Sequence, residues 1–466
     1  MDTPSLPPAV LAALPPAVLA LIRWQAAQIE RLSARLAELE AQLGKDSTNS
    51  SKPPSTEHPH AKTIRPKPKS KRPHGGQPGH AKHERALVPV EDCTTVITCA
   101  PQACRRCGNA LAGVDPQPIR HQVWELPEIR PIIIEYQQHR LVCGCGCSTC
   151  GALPPGAPAG QAGPRLIAFS GLLMACFRQS KRRAALFLGA ILQQPASPAW
   201  MVSLQNRAAE AVRPAYDELV AALPAEKSLY LDESPSKEGR NKSWVWTFVA
   251  ATFTIFACRL SRAAEVPKQL LGAFAGVVHC DRARMYWAFD KLQYCWAHLK
   301  RDFQGLIDSP CTVARRLGHD LMRPTNEMFA LWQKVRDGTL PRSEFRGQMR
   351  SIRERVESVL LRGYCDHRVR GFCTDLWEHR ARLWVFVDVE GVEPTNNAAE
   401  RSLRHAVIWR KLSFGTQSAR GSRFVERMLS AIETCRQQKR DVFAWMVDAV
   451  QAHLADQPAP SLLREA

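Results

Sequence analysis

The N-terminal part of the chain carries apolar residues in a 3-4-3-4 alternation, interrupted by Gln25 at one position. The apolar positions are Ile22, Ile29, Leu32, Leu36, Leu39 and Leu43. Glutamate and arginine occupy the positions around this seam, which is typical of a coiled coil. We predict a short coiled coil over residues 18–43, and therefore self-association. The alternative is a lone amphipathic helix that packs on its own domain.

A helical pattern of apolar residues returns between Leu166 and Leu223. Within it, one helix is followed by a turn at residues 189–195 and by a second helix that Ser197 would cap. This layout is that of a helix-turn-helix, whose second helix reads the DNA groove. We predict a helical, helix-turn-helix-like DNA-binding region over residues 160–223, although any pair of antiparallel helices gives a similar pattern.

After Leu223 the pattern changes to short β-runs: SLYLDES, WVWTFVAATFTIFACRL and AGVVHCD. A long, charge-rich helical stretch follows over about residues 298–385. The chain then continues with a helix at TNNAAERSLRHAV and a C-terminal helical segment over residues 416–455. Strands that alternate with helices in this way indicate an α/β domain.

The charge of the chain indicates the kind of partner. Lys and Arg outnumber Asp and Glu by 63 to 44, which gives a net charge of +19. The excess is marked in residues 44–85, where ten basic residues, three acidic residues and seven prolines leave no apolar core. We predict a basic disordered linker that lies along DNA phosphates, with a merely solubilising tether as the alternative.

No segment predicts contact with a membrane. The apolar stretch 9–22 contains prolines and is shorter than the ~20 residues that span a bilayer. It also lacks the basic start of a secretory signal. We therefore expect a cytoplasmic protein.

Eight of the 16 cysteines fall between Cys93 and Cys150. Cys104-Arg-Arg-Cys107-Gly has the spacing of a metal-binding knuckle, and Cys143-Gly-Cys145-Gly-Cys147-Ser-Thr-Cys150 follows it. Two thiolate pairs at this separation favour a structural Zn²⁺ site. We predict a zinc-binding module over residues 86–155, with free or redox-active cysteines as the alternative. The predicted ligands are Cys104, Cys107, Cys143 and Cys145, with Cys147 and Cys150 as alternative ligands.

Three carboxylates occupy positions that suit a second kind of metal site. The short strand 228–232 ends in Asp232, and Asp281 follows the apolar run 276–280. Asp residues at the ends of neighbouring parallel strands point into one crevice, where they repel unless cations lie between them. Glu400, one turn into the helix that Thr395, Asn396 and Asn397 would cap, could complete a site for two Mg²⁺ ions. Taken singly, each Asp suits a strand-end cap, and Glu400 suits a surface pair with Arg404.

Several segments of the chain, in order, resemble one known family. They are LGKDSTNSSKPPSTE, KRPHGGQPGH, CRRCG, YLDESP, HCDRARMYWAF, CWAHLKRDF, EPTNNAAERSLR and ERMLSAIETCRQQKRDVFAWM. Together, over about residues 20–450, they look like the large transposase of the IS66 family of bacterial insertion sequences. The second cysteine pair departs from the family, which usually shows a plain C-x-x-C.

The resemblance implies an α/β, ribonuclease H-like DDE catalytic core, which we place at residues 224–415 with a helical insertion over about 302–385. In this family Asp232, Asp281 and Glu400 would be the acidic triad. Cys295-Trp-Ala-His298 resembles a C-x-x-H motif, so His298 is a candidate for orienting the scissile strand. The alternative for His298 is a pair with Asp302.

Basic and polar residues around the triad are candidates for DNA contact. They are Asn397, Arg401 and Arg404 on the Glu400 helix, with Lys300 and Arg301 of CWAHLKR. Arginine suits bidentate contact with phosphate.

The sequence therefore predicts a DDE transposase that depends on Mg²⁺ and carries a structural Zn²⁺. Its expected partners are double-stranded DNA (the terminal repeats and the target), further copies of itself through the coiled coil, and accessory transposition proteins. Another ribonuclease H-like nuclease or resolvase is one alternative. A non-catalytic zinc-containing DNA-binding regulator is the other.

Overall fold

A computed structural model describes residues 14–43, 85–158 and 160–463. The predicted basic linker falls almost entirely outside these residues. The first helix, α1 (Pro16–Leu43), covers the predicted coiled coil. Its seam side chains Leu32 and Leu36 are 67% and 60% exposed, so nothing within the described residues buries them. The coiled coil stays a prediction.

Residues 85–158 contain little regular structure. Two short strands, β1 (Arg140–Val142) and β2 (Ser148–Cys150), form an antiparallel hairpin. The run 123–143, which has the composition of strands, forms a strand only at β1 within the described residues. Its apolar side chains, Ile132, Ile133 and Ile134 among them, are exposed.

Three helices precede the sheet: α2 (Pro164–Ala175), α3 (Lys181–Ile191) and α4 (Pro198–Ala222). The hydroxyl of Ser197 accepts a hydrogen bond from the Trp200 N–H, so Ser197 caps α4 as predicted. The connection between α3 and α4 covers residues 192–197, so it begins three residues later than the turn that the sequence predicts at 189–195. A role for these helices in DNA binding stays a prediction.

The core is a five-stranded mixed sheet. Its strands are β3 (Ser228–Glu238), β4 (Asn241–Val249), β5 (Thr254–Arg259), β6 (Val277–Cys280) and β7 (Leu292–Tyr294). Their spatial order is β5-β4-β3-β6-β7. The first three strands are antiparallel, whereas β3, β6 and β7 are parallel. A mixed sheet of this kind, with helices packed around it, is compatible with a nuclease-like core.

Strand β3 is longer than the sequence predicts. Asp232 was expected at the end of a strand over 228–232, but β3 continues to Glu238 and Asp232 lies within it. The prediction was wrong because the whole of β4 pairs with residues 230–238 of β3, and this antiparallel hairpin extends β3 beyond Asp232. The parallel partner β6 pairs only as far as Tyr230, so Asp232 lies just beyond the end of the parallel pairing.

Gly276 allows the close approach of the chain that enters β6. A Cβ at this position would lie 2.5 Å from the Lys227 carbonyl oxygen and 2.7 Å from that of Glu226. Any larger residue would push β6 away from β3. The spacing of the two strands that carry Asp232 and Asp281 therefore depends on this glycine.

Helix α5 (Glu265–Leu271) connects β5 to β6. The helices between β7 and residue 388 are α6 (Trp296–Ile307), α7 (Thr312–Arg336), α8 (Arg342–Tyr364), α9 (Arg370–Glu378) and α10 (Val385–Asp388). Helix α6 packs against α7, α7 packs against α8, and α8 packs against α9. They occupy the stretch in which the sequence predicts a helical insertion.

Three helices complete the chain: α11 (Asn397–Ser413), α12 (Ala419–Gln438) and α13 (Val442–Leu454). Helix α12 covers the edge strand β5 through side chains four residues apart. Glu426, Ser430 and Thr434 accept hydrogen bonds from the main-chain N–H groups of Cys258, Phe256 and Thr254, respectively. Four residues of a helix rise ~6 Å, which is close to the length of two strand residues. One helix can therefore accept hydrogen bonds from alternate main-chain N–H groups along an otherwise open sheet edge.

None of the helices in the described residues has the length and apolar content to span a membrane.

Candidate active site

Asp232 and Asp281 lie at the same level on neighbouring parallel strands. The register of β3 and β6 pairs Tyr230 with His279. Asp232 and Asp281 each come two residues further along, and adjacent strands lie about 4.8 Å apart. Residues at equivalent positions of a parallel pair project to the same face of the sheet. The register therefore places the two carboxyl groups side by side.

Glu400, in the first turn of α11, lies within electrostatic range of both aspartates, although the oxygens of the three carboxyl groups do not all lie within 4.8 Å of one another. Asn396 precedes this helix and is buried, and its side-chain Nδ2 donates a hydrogen bond of 2.6 Å to the carbonyl oxygen of Leu231, next to Asp232. The sequence predicts that Asn396 caps the helix, but its side chain makes no capping hydrogen bond. It ties the start of α11 to β3 instead.

The side chains nearest to the Glu400 carboxylate are Arg301 and His298, whereas the sequence suggests Arg404. The Nη2 of Arg301 and the Nδ1 of His298 each lie 3.4 Å from the Glu400 Oε1. Arg404 is within electrostatic range and lowers the pKa of Glu400, but forms no ion pair with it within the described residues. Asp302, the suggested partner of His298, pairs with Arg282 at 2.7 Å.

The other carboxyl groups of the site disfavour ionisation of Asp232 most clearly. Burial raises the pKa of Asp232 well above its usual value, and the charges of Glu233, Asp281 and Glu400 raise it further. Burial also raises the pKa of Asp281 and that of Glu400, and Asp281 contributes to the rise at Glu400. Three carboxylates can be ionised together at such a place when cations offset their repulsion.

Glu233 is a fourth acidic residue at this site, which the sequence prediction missed. Its side chain is 4% exposed and forms an ion pair of 2.6 Å with Arg262. It also accepts a short hydrogen bond from the Tyr286 hydroxyl. The Asp-Glu doublet in YLDESP was the signal that could have identified it, although the alternation of side chains along a strand would place Glu233 on the face opposite Asp232.

Arg282, directly after Asp281, connects the sheet to the helical insertion. Its guanidinium lies 2.7 Å from a carboxylate oxygen of Asp302 on α6 and 2.6 Å from one of Asp375 on α9. A rigid, planar fork suits such a double contact. Arg282 therefore joins the residue after Asp281 to both α6 and α9.

The predicted DNA-contacting residues have open access to solvent, with one exception. Asn397, Arg401, Arg404 and Lys300 are exposed, whereas Arg301 is half-buried beside Glu400. Lys300 also lies over the ring of Phe329, 5.7 Å from its centroid.

His298 is neutral at ordinary pH. Burial lowers its pKa to about 4, with Arg301 and Arg282 as further causes. Its neighbour Cys295 is buried, and burial raises the pKa of this thiol to about 11. The Cys295 Sγ, a ring nitrogen of His298 and a carboxylate oxygen of Glu400 all lie within 4.8 Å of one another.

The two predicted zinc knuckles are present as local turns. Main-chain N–H groups of Cys107 and Arg106 lower the pKa of Cys104, and those of Cys145 and Gly144 contribute to lowering the pKa of Cys143. Such donors favour the thiolate that a metal needs. Within residues 85–158, however, no three cysteine sulfurs come within 4.8 Å of one another. The four-cysteine zinc site stays a prediction.

Comparisons with known proteins agree with this architecture. The family model "Transposase IS66 family" matches residues 160–423, which hold the sheet, the insertion and Asp232, Asp281 and Glu400. A second family model, of unknown function (DUF6444), matches residues 14–86.

Two similar proteins come from Sinorhizobium fredii (strain NBRC 101917 / NGR234). The uncharacterized protein y4hP is 23% identical over 426 residues, which cover 79% of this chain and 73% of y4hP. The uncharacterized protein y4jD is 21% identical over 278 residues, 53% of this chain and 54% of y4jD. Because the IS66 model matches more than half of the 466 residues, the chain belongs to the IS66 family of transposases.

Proposed function

We propose that this protein is a DDE transposase with a ribonuclease H-like core, which cleaves DNA at the ends of its insertion sequence and joins those ends to target DNA. Asp232, Asp281 and Glu400 are the catalytic carboxylates. The observation that supports the proposal is that Asp232 on β3, Asp281 after β6 and Glu400 at the start of α11 lie within electrostatic range of one another.

The donor set suits Mg²⁺, which prefers carboxylate oxygens and shares the phosphate oxygens of a substrate. The mutual effect of the three carboxyl groups on their pKa values supports a cation between them. Two Mg²⁺ ions, when bound, supply activation of the attacking water or 3′-hydroxyl and stabilisation of the leaving oxygen.

The residues of the chain hold this arrangement in place. Hydrogen bonds to β4 make β3 rigid at Asp232, and Asn396 fixes the start of α11 relative to Leu231. Arg301 donates a hydrogen bond to the Glu400 carboxylate, and the His298 ring lies beside it. Neutral His298 can accept or donate a hydrogen bond at the scissile phosphate.

The exposed residues Asn397, Arg401, Arg404 and Lys300 surround Glu400 and would contact the phosphates of double-stranded DNA. The chain has a net charge of +19, which favours such contact. We extend the proposal to the α3–α4 hairpin as a reader of the terminal repeats, in a protein of the bacterial cytoplasm.

The test is Mg²⁺-dependent strand cleavage and strand transfer on an oligonucleotide with the end sequence of the element. Asp281→Asn should reduce the rate by at least ~10³-fold, the scale of losing a central catalytic group. Asp290→Asn is the matched control, because Asp290 is an exposed carboxylate of the same segment and lies outside the triad. Full strand transfer by Asp281→Asn would exclude the triad. Binding without any cleavage by the unsubstituted protein would favour a non-catalytic regulator.

The cysteine-rich segment is proposed to bind structural Zn²⁺ through Cys104, Cys107, Cys143 and Cys145, with Cys147 and Cys150 as alternative ligands. Substituting Cys104→Ser and Cys107→Ser together should lower the zinc content of the purified protein by about one equivalent. An unchanged zinc content would rule the site out.

Helix α1 is proposed to assemble the protein into a homo-oligomer, which accessory transposition proteins could join. Leu36→Lys should lower the mass in solution, because it places a charge in the exposed apolar seam. Ala34→Lys is the control, because Ala34 lies two residues before Leu36 and outside the apolar seam. Equal masses for both variants would contradict the coiled coil.

A further inference from the structure

A group of metal-ligating side chains lies beside the carboxylate site and has a different chemistry. It contains a thiol, an imidazole and a carboxyl group: Cys295, His298 and Glu400. Across residues 14–43, 85–158 and 160–463, it is the one set of three or more His, Cys, Asp or Glu whose ligand atoms all lie within 4.8 Å of one another.

We propose that Cys295, His298 and Glu400 form a binding site for a thiophilic divalent cation, Zn²⁺, and that Zn²⁺ bound there inhibits the enzyme by competing with Mg²⁺ for Glu400. The inhibition rests on the proposed function, whereas the binding site does not.

The ligands are positioned by main-chain contacts. Cys295 directly precedes α6 and His298 lies in its first turn, three residues on, so both side chains lie on one side of the helix. The Asn396 N–H donates a 3.1 Å hydrogen bond to the Cys295 Sγ. The Trp296 N–H donates to the Pro394 carbonyl oxygen at 2.9 Å. The start of α6 is therefore joined to the segment that enters α11, which carries Glu400.

His298 has coordination capacity that the protein does not use. Its Nδ1 is buried and forms no hydrogen bond within the described residues, although the Glu400 Oε1 lies 3.4 Å away. A buried ring nitrogen without a partner costs free energy that a bound cation would recover.

The donor set selects the metal. A sulfur, a nitrogen and an oxygen ligand suit Zn²⁺, which binds these three atom types in tetrahedral sites, whereas Mg²⁺ avoids sulfur. Three protein ligands leave the fourth position open to water. When the Zn–S bond forms, the Cys295 thiol releases its proton to solvent, while His298 coordinates as the neutral imidazole.

Occupation of this site opposes binding of Mg²⁺ in two ways. Glu400 has a single carboxylate, and an oxygen that ligates Zn²⁺ is withdrawn from the Asp232 and Asp281 side. A dication next to Glu400 also repels a second dication a few ångströms away. Zn²⁺ therefore acts as a competitor of Mg²⁺ at a shared ligand.

The binding test uses Co²⁺ as a spectroscopic substitute for Zn²⁺ on the full-length, metal-free protein, without DNA. Cys295→Ser should remove part of the thiolate-to-cobalt absorption and one equivalent of bound Co²⁺. His298→Ala should weaken binding at this site by at least the ~10–100-fold that the loss of an outer-shell partner costs. Cysteines 93–150 contribute equally to every protein compared, so the difference between proteins isolates this site.

Cys373→Ser is the matched control, since Cys373 is another buried cysteine, on α9. On titration with Co²⁺, this variant should show the same absorption and the same stoichiometry as the unsubstituted protein. Cobalt absorption and stoichiometry that are unchanged in Cys295→Ser would overturn the site. An equal loss in Cys295→Ser and Cys373→Ser would also overturn it, as a general effect of core substitution.

The regulatory half is tested by strand transfer at fixed Mg²⁺ with added Zn²⁺, each protein being compared with its own zinc-free rate. Inhibition of the unsubstituted protein should weaken as Mg²⁺ is raised and should weaken about tenfold or more in Cys295→Ser. Equal inhibition of both proteins would overturn the competition. Co²⁺ binding without any strand transfer would leave the metal site standing and reject the proposed function.

Discussion

Glu426 on α12 is 2% exposed. The charged and hydrogen-bonding groups around Glu426 favour its ionised form. The groups around Asp232 mostly oppose ionisation of its carboxyl group. Arg259 and Arg423 lie 3.0 and 2.9 Å from the Glu426 carboxylate, and the Cys258 N–H donates to it. Burial raises the pKa of both residues. At Glu426, two arginines and a main-chain N–H offset the effect of burial on the pKa. At Asp232, three neighbouring carboxylates add to that effect.

The difference distinguishes a structural acid from the proposed catalytic acids. Glu426 belongs to the contact of α12 with the edge strand β5, and its partners are supplied by the fold. Burial and three neighbouring carboxylates raise the pKa of Asp232, whereas arginines act on Asp281 and Glu400. The repulsion centred on Asp232 lowers the stability of the cation-free protein. Such a cost is typical of sites that are completed by a ligand.

The largest expected effect on stability is at Glu426. Glu426→Gln should lower the free energy of unfolding by about 2–3 kcal/mol, because it leaves two arginines without their shared carboxylate. Asp232→Asn should leave the cation-free stability unchanged or raise it, since it removes repulsion. Chemical denaturation without divalent cations measures both values. A larger loss at Asp232 than at Glu426 would reverse the comparison.

Mg²⁺ should stabilise the protein through the functional acids alone. At a concentration about 100 times its dissociation constant, it should add about 2.7 kcal/mol to the free energy of unfolding. Asp281→Asn should lose most of this gain, and Glu426→Gln should retain it. Thermal unfolding with and without Mg²⁺ measures the shift, and an equal gain in both variants would show binding elsewhere.

Ser430→Ala tests the edge contact next to Glu426. It removes the 2.8 Å hydrogen bond that the Ser430 Oγ accepts from the Phe256 N–H. Leaving a buried strand N–H without a partner should cost about 1–2 kcal/mol. Strand transfer should keep its rate under conditions in which the variant is folded. A large loss of activity with unchanged stability would place this contact in the catalytic machinery.

The smallest effect is a pH dependence of stability. The pKa values of Asp232, Asp281 and Glu400 are raised in the folded state, so the folded protein binds more protons than the unfolded chain. Their contribution is complete below the unfolded pKa values, near 4, and is lost as pH rises through the folded values. Asp232→Asn should flatten this decline, by at most ~1.4 kcal/mol per pH unit. Parallel pH profiles with and without the substitution would contradict the shifts.

The positions of several elements follow from local sequence. The β-runs correspond to β3–β6, Ser197 caps α4, and the charge-rich stretch is helical. These features depend on periodicity and on residues a few positions apart, which one sequence displays.

Features that depend on distant residues could not be predicted. The length of β3 follows from its hairpin with β4. The role of Asn396 follows from a contact with Leu231, 165 residues away, and the partners of Glu400 come from α6. Cys295 and Glu400 come together only when α6 and α11 begin at the same place.

The central claim is that Asp232, Asp281 and Glu400 together hold divalent cations. It is tested most directly by anomalous diffraction from crystals of the protein with element-end DNA and Mn²⁺ in place of Mg²⁺. The account predicts Mn²⁺ within coordination distance of Asp232 and Asp281, with Glu400 as a ligand. Anomalous density that is absent between these carboxylates, in crystals that hold Mn²⁺ elsewhere, would contradict it.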